Sequence, residues 1–174
     1  MNAKNNLFVA VSLLGLFTVD GIASAATATS SAQVSVNVPR KCSISAAALS
    51  FGSYDPFGLN ATTDLDASST IDVVCSKNSS VSIGINAGQS PGGGSSVDAP
   101  VRQLANGTEL LRYDLFTDSS RTAVWGDIGG TRTQAYTSAS KNTVTTLTVF
   151  GRVPRNQDVS DGAYTDQITA TVLF

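Results

Sequence analysis

Short runs in which apolar and polar residues alternate recur throughout this sequence. Between Val81 and Ile85, for example, every second residue is Val or Ile, while the residues between them are small. A period of two places alternate side chains on opposite faces, which is typical of a β-strand with one buried face and does not fit the 3.6-residue period of a helix. Similar runs occupy residues 32–38, 71–75, 111–116, 147–153 and 164–174.

The composition also disfavours helices. Of the 13 acidic residues only Glu109 is a glutamate, and Ser, Thr, Gly and Val are abundant. Helix surfaces favour Glu, Lys and Leu, whereas Thr and Val favour strands and Ser, Gly and Asp favour turns. A length of 174 residues with 41% hydrophobic content therefore predicts one all-β domain with a sizeable core.

Charge and the absence of histidine exclude several functions. A net charge of -2 with only 14% charged residues leaves no basic stripe for phosphate groups, so no nucleic-acid partner is expected. With no His, the chain cannot build Ser-His-Asp or Cys-His nucleophile arrangements or any His-containing zinc site. We therefore predict a protein that is not an enzyme and needs no cofactor and no metal. The alternative is an Asp-based hydrolase, in which two carboxylates would converge about 5 to 10 Å apart.

The first 25 residues have the parts of a secretory signal peptide. Lys4 supplies the positive charge, residues 7–19 supply an apolar run, and Ala23-Ser24-Ala25 forms a small-residue cleavage site. The apolar run is shorter than the about 20 residues needed to span a bilayer. We expect export and a mature chain that begins at Ala26.

Two cysteines remain in a chain that is expected to enter an oxidising compartment. Cys42 and Cys75 form an even pair, with no CxxC spacing that would suggest a reactive thiol. The sequence therefore predicts a disulfide that closes a loop of 34 residues, counting both ends. On the chain-entropy model such a bond stabilises the fold by roughly 3.5 to 4 kcal/mol.

The pattern from Cys42 onward predicts six or seven short strands, with residues 53–69 as a long irregular connection. This spacing suggests an incomplete immunoglobulin-like antiparallel β-sandwich over residues 42–174. Its last strand would run to the final residue with no following strand beside it, which leaves an open edge over an apolar groove. The groove-edge residues of that C-terminal strand would be Ile168, Ala170, Val172 and Phe174.

The first alternating run could fill such a groove. It lies in residues 26–41, which start with a small polar stretch and end with Pro39-Arg40-Lys41. A strand that leaves its own domain can enter a neighbour's groove, where main-chain pairing gives affinity and alternate side chains give specificity. The sequence thus predicts an N-terminal donor strand, donor-strand complementation, and neighbouring subunits as partners. The inward residues of the donor strand would be Ala32, Val34, Val36 and Val38.

Several ordered segments resemble the spore coat protein U domain, the fold of archaic (Csu-type) chaperone-usher pilins. The resemblance covers nearly all of the mature chain. It implies an exported subunit that is held by a periplasmic chaperone, passed to an outer-membrane usher and polymerised into adhesive cell-surface fibres that support biofilm formation. The family also has spore coat and other secreted members. The matching segments are Cys42, Leu49 to Pro56, the strand ending at Cys75, Tyr113 to Asp118, Trp125-Gly126-Asp127, Val149 to Pro154 and Gly162 to Asp166.

The sequence leaves two alternative sites open. Trp125 and Tyr113 could form a sugar-binding platform in a secreted or fibre-tip carbohydrate-binding module, but the only Trp of a β-sandwich is more often a packing residue. Asp64 and Asp66 could bind calcium, but the spacing lacks the Gly and the terminal acid of a calcium loop, so a solvated polar connection is preferred. The one-domain chain with a donor-like strand favours a shaft subunit of a fibre over a tip module.

Overall fold

The alternating runs between residues 71 and 153 form antiparallel β-strands in the computed structural model, which describes residues 25–174, whereas the run at residues 32–38 does not form a strand. Residues 1–24 hold nearly all of the predicted signal peptide and lie outside the described residues. The described chain consists of an N-terminal segment, residues 25–37, and a folded unit that begins at Val38. The N-terminal segment has no regular secondary structure. Within residues 25–174 there is no helix long and apolar enough to cross a membrane.

Eight strands and one short 3₁₀ helix, Leu59–Ala61, make up the regular structure of the folded unit. The fold is therefore all-β, as the composition predicts. The strands are β1 (Cys42–Ala46), β2 (Leu65–Cys75), β3 (Ser80–Ile85), β4 (Arg102–Asn106), β5 (Glu109–Phe116), β6 (Gln134–Thr137), β7 (Thr145–Val153) and β8 (Ala170–Leu173).

The strands form two antiparallel sheets. The larger sheet has the order β1-β2-β7-β5-β4, and the smaller one has the order β6-β3-β8. Strand β2 is the longest and stands in register with β7 from Leu65 opposite Val153 to Val73 opposite Thr145. This architecture confirms the predicted immunoglobulin-like antiparallel sandwich. Strands β1 and β8 are edge strands of different sheets.

The core lies between the inward faces of the two sheets. Val73, Ile83, Leu115 and Trp125 are almost completely buried within it. The Trp125 indole also donates a hydrogen bond of 2.9 Å from Nε1 to the Ile83 carbonyl, so its one polar atom is satisfied. The alternating residues that define the strands in the sequence are thus the residues that hold the sheets together.

One arginine is part of this core. Arg102 of β4 is 0% exposed, and its guanidinium donates hydrogen bonds to the carbonyls of Ile85 (2.6 Å), Asn86 (2.8 Å) and Trp125 (2.8 Å). Burial lowers the pKa of Arg102 to about 10. The side chain therefore cross-links β4 to the end of β3 and to the segment that carries the tryptophan.

The structure corrects two boundaries. The predicted irregular connection, residues 53–69, ends earlier, because β2 begins at Leu65. Its inward side chains there include the small Ala67 and Ser69, so the alternation carries little apolar signal. The final strand is also shorter than the predicted run of residues 164–174, since β8 spans only Ala170–Leu173 and Ile168 precedes it.

Candidate functional site

The two edge strands β1 and β8 approach one another at one side of the sandwich. On its paired side β8 is hydrogen-bonded to β3, with Ala170 opposite Ile85 and Leu173 opposite Ser82. Each of these edges has one side that its sheet leaves without a partner strand. An edge of this kind presents a row of backbone N–H and C=O groups that can pair with another strand.

Two adjoining cavities form a groove, and the smaller of them lies between the two edges, where Ala46 of β1 and Ala170 of β8 line it. The larger cavity has a volume of about 650 Å³ and is lined by residues that include Tyr54, Val159 and Tyr164. The smaller cavity has a volume of about 390 Å³ and reaches the core residues Ile71 and Ile85. Three side chains line both cavities, so the cavities adjoin: Leu49, Phe51 and Leu104.

A glycine fixes the position of the groove wall. A Cβ atom at Gly151 would lie 2.8 Å from both Leu49 Cδ2 and Phe51 Cζ, closer than real Cβ contacts allow. The missing side chain on β7 therefore makes room for the segment that follows β1. Phe51 also packs edge-to-face on Tyr113, with ring centroids 6.0 Å apart.

The polar atoms near the groove are bonded within the protein. The Tyr113 hydroxyl donates to Asp166 at 2.6 Å, and burial together with this bond raises the pKa of Tyr113. The other oxygen of Asp166 accepts from the Gln89 backbone N–H at 2.9 Å. The Tyr54 hydroxyl donates to the Pro154 carbonyl at 3.1 Å. With these groups bonded, the smaller cavity keeps apolar side chains such as Ile71, Val149 and Ile168 in its lining, which suits an apolar occupant.

The structure places the predicted C-terminal groove residues as follows. Ile168 and Ala170 line the smaller cavity, and Val172 packs against the core. Phe174 differs from them, because it is 48% exposed. The sequence pointed to Leu49 and Phe51 only as part of a segment that resembles the family, without a role in the groove. It missed Leu104 and Val159 altogether, since neither lies in an alternating run.

The predicted donor residues belong to the irregular part of the chain. Ala32 is exposed, and the exposed fractions of Val34, Val36 and Val38 are 95%, 87% and 79%. These three valines occupy alternate positions, and together they form an exposed apolar surface that a partner could bury. Their role as a donor strand stays a prediction.

The predicted disulfide is confirmed. Cys42 and Cys75 are bonded, with their Cα atoms 4.1 Å apart. They stand opposite one another in the β1–β2 register, so the bond ties the first residue of β1 to the last residue of β2. Within residues 25–174 there is no free cysteine.

The residues of the two alternative sites are buried or make other contacts in the structure. Trp125 is 0% and Tyr113 is 3% exposed, so neither ring is available to a sugar. Asp66 receives two hydrogen bonds from the Arg152 guanidinium, at 2.8 and 2.9 Å, and the bond from Arg152 lowers the pKa of Asp66. Asp64 lies 3.4 Å from the same guanidinium. The two carboxylates are therefore members of a partly exposed ion-pair cluster.

Comparison with known proteins identifies the family. The sequence matches the Spore Coat Protein U domain over residues 28–171. It is 34% identical to Protein U of Myxococcus xanthus over an alignment of 182 residues that covers all of both chains. The fold is similar, with a TM-score of 0.53 and 24% identity, to a chain in the crystal structure of the CsuC–CsuE chaperone–tip adhesion subunit pre-assembly complex from archaic chaperone-usher Csu pili of Acinetobacter baumannii. That alignment covers 79% of this chain and 40% of the solved chain. From the first two matches, the chain belongs to the spore coat protein U domain family.

Proposed function

We propose that the protein is a structural subunit of an adhesive cell-surface fibre that polymerises by donor-strand complementation. The observation that carries the proposal is the cavity between β1 and β8, which is lined by Ala46 and Ala170 and reaches the core residues Ile71 and Ile85. A partly open core exposes apolar side chains and unpaired strand edges to water, and both are unfavourable in an isolated subunit. A single added strand would cover them together.

The N-terminal segment has the chemistry of that strand. Its alternate residues are small and apolar, so they fit a narrow groove, and its outward residues Gln33, Ser35 and Asn37 are polar. Burial of each valine stabilises the complex by roughly 1.5 to 3 kcal/mol. Within the N-terminal extension, residues 26–41, we assign the alternating run at residues 32–38 of one subunit to the groove of the next.

The same groove requires a temporary occupant before assembly. An apolar groove with two open edges is an aggregation hazard during export. We therefore propose that a periplasmic chaperone covers it and that an outer-membrane usher receives the complex. The similarity of the fold to a chain from a chaperone–subunit pre-assembly complex supports this order of events. Fibres built in this way would serve adhesion and biofilm formation.

The experiment compares an inward with an outward residue of the donor segment. Val36→Asp would place an unpaired carboxylate in the neighbour's groove at a cost of several kcal/mol, whereas Ser35→Asp would leave the same charge in water. We expect Val36→Asp to yield an exported subunit that does not form fibres and Ser35→Asp to assemble almost normally. The measurement is the surface fibre yield at matched periplasmic levels. Equal assembly of both variants would contradict insertion of this face.

A second candidate is a secreted coat protein that does not polymerise through its N-terminal segment. The family match and the 34% identity to Protein U favour this candidate. In that case both Asp variants would leave the protein's assembly state unchanged. Native mass spectrometry of the purified wild-type protein would then find monomers where the fibre function predicts chains of subunits.

A further inference from the structure

One end of the folded unit carries a cluster of basic residues. Strand β1 begins there and β2 ends there, and the neighbouring loops are joined by hydrogen bonds from the Ser76 N–H to the Lys41 carbonyl (2.8 Å) and from the Asn78 N–H to the Ser138 carbonyl (2.8 Å). We call this end the cysteine pole. The Asp72 side chain, three residues before Cys75, is bonded to the Thr146 hydroxyl. The exposed charges of the cysteine pole are Arg40, Lys41, Lys77 and Lys141.

The opposite end is acidic. Its loops precede β2, join β4 to β5 and follow β7, and they are linked by hydrogen bonds from the Asn156 N–H to the Asn60 carbonyl (2.8 Å) and from Asn106 Nδ2 to the Asp161 carbonyl (3.4 Å). We call this end the acidic pole. Strand β2 has 11 residues, so the two poles are separated by roughly 33 Å. The exposed acids of the acidic pole are Asp55, Glu109, Asp158 and Asp161.

The arginines near the acidic pole do not cancel these acids. Arg155 lies 3.8 Å from Asp64, and Arg112 lies 3.2 Å from Asp114, so each already faces a different carboxylate. The acidic pole also exposes an aromatic side chain, since Phe57 is 97% exposed. The surface is therefore negative with an apolar tip.

The linker between the donor segment and its own domain is short. Only Pro39-Arg40-Lys41 separate Val38 from Cys42, and this stretch reaches at most about 14 Å. The point where a donor strand leaves a neighbour's groove must therefore lie close to the cysteine pole of the donating subunit.

The direction of β8 then decides which surfaces meet. β8 runs toward the cysteine pole, because its last residue, Leu173, stands opposite Ser82 near the start of β3. A donor strand antiparallel to β8 leaves the groove at the acidic pole, whereas a parallel one leaves it at the cysteine pole and brings two basic surfaces together. We infer that subunits join with the cysteine pole of one copy against the acidic pole of the next, and that these opposite charges select the direction of insertion and accelerate it. This inference rests on the proposed function.

The test separates a donating subunit from an accepting one. The acceptor is the full chain with Val36→Asp and a fluorescent label, so that it offers its groove and acidic pole but no usable donor segment. The rate at which the labelled acceptor joins fibres of wild-type subunits is measured at low and at high salt. The acceptor is then given Glu109→Lys and Asp158→Lys, and the donating subunit is separately given Lys41→Glu, Lys77→Glu and Lys141→Glu.

We expect either set of reversals alone to slow incorporation about tenfold at low ionic strength, because like charges then face one another. Combining the two sets should recover most of the rate. High salt should remove the differences, since the Debye length falls to about 3 Å at 1 M.

A synthetic peptide of residues 26–38 is the control, because it has the donor sequence but no charged side chain. It should bind the acceptor equally well with and without the acidic-pole reversals, which also verifies that the variants are folded. If the rate of incorporation is unchanged by the charge reversals while the peptide binds normally, the joint between the poles is refuted. The proposed function would not be affected by that result. A peptide that binds neither acceptor would refute the proposed function, and the joint with it.

Discussion

Replacing Arg102 by Met tests whether the buried guanidinium holds this fold together. Methionine fills a similar volume without donating a hydrogen bond. The carbonyls of Ile85 and Trp125, both bonded to Arg102 in a buried environment, would lose their donor. The Asn86 carbonyl is only partly buried and can turn to water.

The expected loss follows from these two carbonyls. Each buried acceptor left without a partner costs about 1 to 3 kcal/mol, which gives about 2 to 6 kcal/mol for the pair. Removing the charge recovers part of its desolvation cost, the same cost that lowers the pKa of Arg102 to about 10. We therefore expect Arg102→Met to lower the free energy of unfolding by about 2 to 4 kcal/mol, and the urea midpoint by about 1 to 2 M.

Urea unfolding with the disulfide intact is the assay, and the fluorescence of Trp125, the single tryptophan of the chain, is the signal. The matched control is Arg112→Met, because the Arg112 side chain is 54% exposed and its ion pair with Asp114 should contribute at most about 1 kcal/mol. An Arg102→Met variant as stable as the wild type would refute the reasoning. It would mean that desolvation of the guanidinium cancels its hydrogen bonds.

Two further predictions concern the disulfide and the dependence of stability on pH. Replacing Cys42 and Cys75 together by Ala should lower the free energy of unfolding by roughly 3.5 to 4 kcal/mol, and an unchanged urea midpoint would contradict the chain-entropy account. Hydrogen bonds donated to their carboxylates lower the pKa values of Asp66, Asp98 and Asp118, so their stabilisation is complete above the ordinary aspartate pKa of 3.8 and is lost as the pH falls further. Because the chain has no His, the urea midpoint should stay nearly constant from pH 8 to about 5 and fall below about 4. A decline between pH 7 and 5.5 would contradict this assignment.

The sequence predicted the strands in which apolar residues on one face alternate with small or polar residues on the other. It missed the strands in which this contrast is weak. Strand β3 could be identified because Val81 and Ile83 are buried between small residues. Strand β4 could not, since its most deeply buried side chain, Arg102, is charged and its bonding partners are distant in sequence. The groove was predicted from the open edge of the last strand, but its walls were not. Its walls depend on Leu49 and Phe51 packing over Gly151, a contact between residues about one hundred positions apart.

The position of the disulfide has a mechanical consequence for a fibre. Tension on the short linker before Cys42 would first reach β1, an edge strand of five residues that would peel easily. The sulfur bridge connects that same residue to Cys75 at the end of β2. The force would therefore pass through the disulfide into β2, a long inner strand. Strand β2 is paired with β7 as far as Leu65, so many hydrogen bonds between these strands would resist the force in shear at the same time. A pulled subunit would then yield at its non-covalent joint before its own first strand detaches.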